Sequence, residues 1–111
     1  MAEMIFLGRR GSGKTTELIK KSAETGIYIL VLNETRRKYI FEKARDLGYD
    51  IPNPVTLDDY FRCKFRGSYI EQQGVLIDEV EDILKSIFKH IPIRGMTITT
   101  RDNIYELEVS K

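Results

Sequence analysis

The octapeptide Gly8-Arg9-Arg10-Gly11-Ser12-Gly13-Lys14-Thr15 constrains this 111-residue chain more than any other segment. The apolar run Met4-Ile5-Phe6-Leu7 leads into it. The stretch that follows carries Leu18, Ile19 and Ala23 at helical spacing and stops at Gly26, a good residue for a left-handed helix end. A glycine-rich turn of the form G-x-x-x-x-G-K-[ST], set between a strand and a helix, turns backbone N–H groups inward and adds the positive end of the helix to the same spot. Phosphate oxygens fit such a cradle. Gly8, Arg9, Arg10, Gly11, Ser12 and Gly13 would form it, Lys14 would reach the outer phosphates, Thr15 would offer its hydroxyl to Mg²⁺, and Thr16 completes the candidate contacts. The alternative is a glycine turn with an accidental Lys-Thr pair.

The rest of the chain alternates apolar, β-forming runs with stretches of helical spacing, the pattern of a parallel sheet covered by helices. Residues 27–32 are nearly all apolar and predict a strand buried on both faces. Residues 35–47 predict an amphipathic helix with Tyr39, Ile40, Ala44 and Leu47 on one stripe and Gly48 at its exit. Pro52 and Pro54 favour extended backbone, so Val55-Thr56 reads as a short strand before a helix over 57–65. Val75-Leu76-Ile77 is a third apolar run. After it, Val80, Ile83, Leu84, Ile87 and Phe88 repeat at helical spacing and Pro92 closes the segment. Residues 96–100 predict another strand, Arg101-Asp102-Asn103 a tight turn, and 104–109 a half-exposed, antiparallel edge strand.

Chemistry gathers at two further places. Val75-Leu76-Ile77-Asp78-Glu79 ends an apolar strand in two acids: Asp78 can hold Mg²⁺ and Glu79 can orient and deprotonate an attacking water. Acids in this position also start helices. Thr99 and Thr100 close the predicted strand 96–100, where a hydroxyl can sense the γ-phosphate or the water, although threonines are ordinary strand residues as well.

Through these residues the chain resembles the P-loop NTPases, in the division with an added strand and a catalytic glutamate that includes the RecA-like ATPases and helicases. Gly8, Gly11, Gly13, Lys14 and Thr15 match Walker A, Asp78 and Glu79 match Walker B, and Thr99 or Thr100 matches the polar sensor strand. The resemblance implies a three-layer α/β/α P-loop NTPase fold, with a mainly parallel sheet and an antiparallel C-terminal edge strand, as a single domain over 1–111. It implies ATP and Mg²⁺ as ligands, with Glu79 and Lys14 in catalysis. Residues 31–35 and 54–61 are similar to segments that lie along single-stranded nucleic acid in the first motor lobe of superfamily 1 helicases. On that likeness Asn33, Thr35, Arg36, Thr56, Arg62 and Lys64 are candidates to contact single-stranded DNA. The small size is similar to that of single-domain ATPases encoded by phages. The chain departs from helicases in lacking a second lobe, an adenine-reading glutamine segment and the later arginine-bearing motifs. An arginine finger would come from a homo-oligomer neighbour, a protein partner, or Arg62, Arg66, Arg94 or Arg101.

Composition bounds the remaining choices. The single cysteine, Cys63, and single histidine, His90, exclude an internal disulfide and a four-ligand zinc cage. No run approaches the roughly 20 apolar residues of a membrane span, and the apolar N-terminal run is too short for a signal-peptide core, so the expectation is a cytoplasmic protein without a membrane partner. Residues 9–66 hold 13 Lys/Arg against 8 Asp/Glu, and residues 71–108 hold 4 against 8, so the basic half either faces a polyanion or is a solvated surface. Tyr60-Phe61-Arg62-Cys63-Lys64-Phe65-Arg66 either stacks on unpaired bases or is a helix burying Phe61 and Phe65, four apart, in the core. Three functions fit: a Mg²⁺-dependent ATPase coupled to nucleic acid or to a replication or recombination partner, a nucleotide-binding accessory or inhibitory module with little turnover, and a small nucleoside or nucleotide kinase. The kinase reading lacks the zinc cysteines of thymidine kinases and a long arginine-rich lid.

Overall fold

The computed structural model describes residues 4–9, 11–98 and 103–107. It is a mixed α/β chain whose five strands, among the described residues, pair only in parallel. Strand β1 (Met4–Gly8) leads into helix α1 (Lys14–Thr25), which ends on Gly26 in the left-handed conformation, as the spacing predicts. Strand β2 (Ile29–Val31) follows, then helix α2 (Glu34–Asp46), strand β3 (Val55–Thr56), and the short helices α3 (Leu57–Phe61) and α4 (Tyr69–Gln73). Strand β4 (Leu76–Ile77), helix α5 (Val80–Ile87) and strand β5 (Asn103–Leu107) complete the order. Among the described residues no helix is long and apolar enough to cross a membrane.

The strands form two sheets, β3-β2-β4 and β1-β5. Strand β2 is the centre of the larger one, and Ile29, Leu30 and Val31 are all buried, because a central parallel strand is covered on both faces. Helix α1 packs on β1, β2 and α2, so its apolar stripe joins the two sheets. Leu18 and Ile19 of that stripe meet Ile29, Val31, Ile40, Ala44 and Ile51 in the core. Burying side chains of this size contributes about 1.5–3 kcal/mol each. The buried Ser22 hydroxyl donates to the Ile27 carbonyl at 2.7 Å, which ties the end of α1 to the entry of β2.

The C-terminal region departs from the sequence expectation. Residues 96–98 lie in no strand and are exposed; Thr99, Thr100, Arg101 and Asp102 lie outside the described residues. Without a strand over 96–98 there is nothing for a hairpin to fold back upon. The chain instead returns after α5, and β5 joins β1 in parallel, with Met4 opposite Asn103 and Gly8 opposite Leu107. The expected antiparallel edge strand is therefore a parallel one.

Two apolar stripes are also narrower than their spacing implies. In α2, Ile40 and Ala44 are buried while Tyr39 and Leu47 are exposed, and in α5 Ile83 is buried while Val80, Ile87 and Phe88 are exposed. Helix α3 stops at Phe61, four residues short of the expected end, where Cys63 adopts φ 59° and breaks the helical path. Phe61 is consequently 60% exposed, not a core residue, and Phe65 is half-buried. Helical i,i+4 pairing could not bring them together once the helix had ended between them.

Candidate functional site

Two different demands place glycines in the loop after β1. Gly11 (φ 82°) and Gly13 (φ 92°) sit in the left-handed region with open space around them, so they are needed for backbone conformation. Gly8 is needed for space. A Cβ there would press on Ser12 Oγ and stand 2.8 Å from Ser12 Cβ and 2.9 Å from the carbonyl oxygen of Leu107. Gly8→Ala is expected to cost about 2–3 kcal/mol, on the order of 10 °C in Tm, because the backbone of β5 cannot give way as a side chain can. A thermal melt checks this, and an unchanged Tm would contradict the close approach.

The loop closes through the Ser12 N–H donating to the Arg9 carbonyl at 3.1 Å. Gly13 caps α1 without a side-chain hydrogen bond, and the first intrahelical bond runs from Glu17 N–H to the Gly13 carbonyl. The N–H groups of Lys14, Thr15 and Thr16 therefore precede the helical ladder and point toward the loop, where an anion can satisfy them. Ser12 Oγ is buried with no hydrogen-bond partner among the described residues. Leaving such a hydroxyl unpaired costs about 1–3 kcal/mol. The Lys14 ammonium folds back over the loop, donating to the carbonyls of Gly8 at 2.8 Å and Arg9 at 3.2 Å. Those bonds occupy donors that a phosphate could take over. Arg10 lies outside the described residues.

The acidic pair after β4 reaches this loop through sheet register. Ile29 pairs with Leu76 and Leu30 with Ile77, and the Asp78 N–H donates to the Leu30 carbonyl at 3.1 Å, carrying the ladder one residue past the strand. Asp78 is 4% exposed. The Thr15 hydroxyl donates to Asp78 Oδ1 at 3.3 Å, across 63 residues of sequence. Sequence spacing alone did not reveal the third member of this cluster. Arg36 Nε donates to Asp78 Oδ2 at 2.7 Å, and its Nη2 reaches Thr15 Oγ1 at 3.3 Å and Asp78 Oδ1 at 3.5 Å. The Tyr39 ring lies under the same guanidinium, 4.7 Å from its centroid. Burial works against the Arg36 charge, but the hydrogen bond and charge of Asp78 outweigh it, so Arg36 holds its proton more tightly than usual.

Glu79 occupies the left-handed region at φ 56°, ψ 66°, a conformation costing a non-glycine residue about 1–2 kcal/mol. Its side chain makes no helix-capping bond, so the acids after β4 are not acting as side-chain caps of α5. A hydrogen bond with Glu81, together with burial and the Glu81 charge, pushes the Glu79 carboxyl up to about 7, while Lys14 pulls it the other way. Glu81 is correspondingly held below the usual carboxylate range by the same bond.

These groups border two adjoining cavities. One, of about 580 Å³, is lined by the loop glycines, Lys14, Thr15, Arg36, Lys43, Glu79 and Glu81. The other, of about 480 Å³, is lined by Leu32, Asn33, Thr35, Arg36, Tyr39, Asp78 and Glu79. Arg36, Tyr39, Glu79 and Asp82 line both. The candidate nucleic-acid residues thus separate. Asn33 caps α2, accepting from the Arg36 N–H at 3.0 Å, and shares the second cavity with Thr35 and Arg36. Thr56 is buried and accepts from the Asp59 N–H as the N-cap of α3, while Arg62 pairs with Asp58 and Lys64 with Asp59 away from both cavities. Of the arginines expected as fingers, Arg62, Arg66 and Arg94 line neither cavity, and Arg101 lies outside the described residues. The sensor candidates Thr99 and Thr100 also lie outside the described residues.

Comparison with models of known protein families, with curated proteins and with solved structures finds no match to this chain.

Proposed function

We propose that the chain is a P-loop NTPase of three-layer α/β/α design that binds ATP with Mg²⁺ and hydrolyses it. The observation that carries this reading is the contact between Thr15 and Asp78, which joins the phosphate-loop motif to the acid at the end of an apolar strand, as the two halves of such a site require. The N-terminus of α1, which has no side-chain cap, and the Lys14 ammonium lying on loop carbonyls both support phosphate binding at the loop.

The donor set also fits magnesium. Thr15 and Asp78 present two hard oxygens that already converge on a cation, the Arg36 guanidinium. An ion held there would take its other ligands from phosphates and water. Thr15 and Asp78 would hold Mg²⁺, which supplies neutralisation of phosphate charge. Lys14 would bind the outer phosphate oxygens, and Glu79, at the rim of the same cavity, would accept the proton of the attacking water.

The position of Glu79 on the pH scale gives this reading a signature. An ionised base is required, so kcat/KM is expected to rise with pH through about 7, where the free protein loses the Glu79 proton. Glu81→Gln removes the charge that raises Glu79, and the acid limb is expected to move down toward the ordinary carboxylate range. A limb that stays near 7 in Glu81→Gln would show that another group controls it.

The position of Arg36 favours a second reading, a nucleotide-responsive accessory module. In the free protein the Arg36 guanidinium lies on Asp78 and Thr15, the two residues whose oxygens would hold the metal ion hydrolysis needs. Coupling to single-stranded DNA or to a neighbour that completes the site belongs to either reading. Steady-state ATP hydrolysis over a protein concentration series, with and without single-stranded DNA and with Glu79→Gln as the blank, separates them. Turnover above the blank that rises with protein or DNA supports the ATPase. No turnover above the blank, with nucleotide still bound, selects the accessory module.

A further inference from the structure

We propose that Arg36 is an internal counter-ion that occupies the divalent-cation position between Thr15 and Asp78, so that a metal ion can enter only by displacing its guanidinium. The inference rests on the reading of residues 8–15 as a phosphate site and deepens it by naming what holds that site before nucleotide arrives.

Geometry makes the two cations mutually exclusive. The guanidinium contacts both Asp78 carboxylate oxygens and the Thr15 hydroxyl, at 2.7, 3.5 and 3.3 Å. A divalent ion bound to the same oxygens would stand within a few ångströms of a positive charge, in a place where Asp78 is almost wholly shielded from water. Repulsion at such a distance is several-fold stronger than in bulk solvent. Neither cation can be absent without cost, because a lone carboxylate at 4% exposure would lack a partner.

The attachment of Arg36 suits a side chain that moves while its backbone stays. Its N–H is fixed by the Asn33 cap at the start of α2, and its long stem is partly exposed along the seam between the two cavities. Tyr39, one turn along α2, supports the guanidinium face. Arg36 lines the cavity that holds the loop, whereas Arg62, Arg66 and Arg94 line neither cavity.

The test uses Mn²⁺ alone as the probe, with free Mn²⁺ followed by electron paramagnetic resonance on the full chain. Arg36→Ala is expected to bind Mn²⁺ about tenfold or more tightly than wild type, and the gain is expected to vanish when Asp78→Asn is added. Arg36→Lys keeps a charge near Asp78 but not the forked contact, so it is expected to fold and to bind Mn²⁺ with intermediate affinity; it decides the matter if Arg36→Ala does not fold. Equal Mn²⁺ affinity in wild type and in each folded variant would overturn the inference. A fluorescent ATP analogue, added to the same samples, keeps the two claims apart. Tighter Mn²⁺ binding in the variants without nucleotide binding by any protein would uphold the counter-ion and contradict the nucleotide reading.

Discussion

Glu79→Gln is expected to retain nucleotide binding and to lose hydrolysis, with kcat reduced about 10²- to 10⁴-fold, the range a positioned general base contributes. The substitution keeps the size of the side chain and its capacity to hydrogen-bond Glu81, and it changes neither the left-handed backbone at this position nor the strand that leads to it. What it removes is the ability to accept a proton. Binding is expected to survive because the groups that would hold phosphate, Lys14, Thr15 and the loop N–H groups, belong to another segment of the chain. Phosphate release measures kcat, and equilibrium titration with a fluorescent ATP analogue measures Kd. Hydrolysis at the wild-type rate would remove Glu79 from the chemistry and leave the nucleotide site resting on the loop and the Thr15–Asp78 contact.

Lys14→Ala is expected to show the opposite signature: the fold stays and the nucleotide is lost. In the free protein the ammonium makes two exposed bonds to carbonyls of its own loop, so its removal takes little from stability. In the bound state it would carry the charge facing the outer phosphates. Losing a charged hydrogen-bond donor of that kind costs about 2–4 kcal/mol of binding, or roughly 30- to 1,000-fold in Kd. A circular-dichroism melt close to wild type, beside a Kd weakened to that extent, is the expected pair of results. A Kd equal to that of wild type would place the nucleotide elsewhere or remove it from the account.

The parts of the structure that sequence anticipates are those controlled by neighbours along the chain. Helix α1 begins at Lys14 and ends on Gly26 because a glycine N-cap, an apolar stripe and a left-handed stop all lie within one short segment. The burial of β2 was likewise readable from an unbroken apolar run. The C-terminal strand was not, since alternation within residues 104–109 says that a strand is present but nothing about the direction of its partner. Only the parallel pairing of β5 with β1 supplies that. Phe61 and Phe65 have helical spacing, yet a turn at Cys63 with positive φ ended the helix first.

The candidate site divides in the same way. Its loop and its acidic pair each form a local motif, so Lys14, Thr15, Asp78 and Glu79 could be named from sequence. Arg36 joins them from the first turn of α2, 21 residues from Thr15 and 42 from Asp78. As one of several basic residues on that helix it looked like a surface contact for a polyanion, and only the fold turns it inward onto a buried carboxylate. The influence of Glu81 on Glu79 was not legible either, since residues two apart on a helix do not face each other and Glu79 stands before the helix in a left-handed conformation.

The central claim is that residues 8–15 and 78–79 form one nucleotide site, and mapping backbone amide resonances as Mg²⁺-ATP is added tests it most directly. The account predicts saturable shifts at Gly11, Gly13, Lys14, Thr15 and Thr16, together with Arg36, Asp78 and Glu79, while Arg62 and Lys64 stay in place. No shift at millimolar ATP, or shifts that gather around Arg62 and Lys64 and leave the loop unchanged, would contradict it.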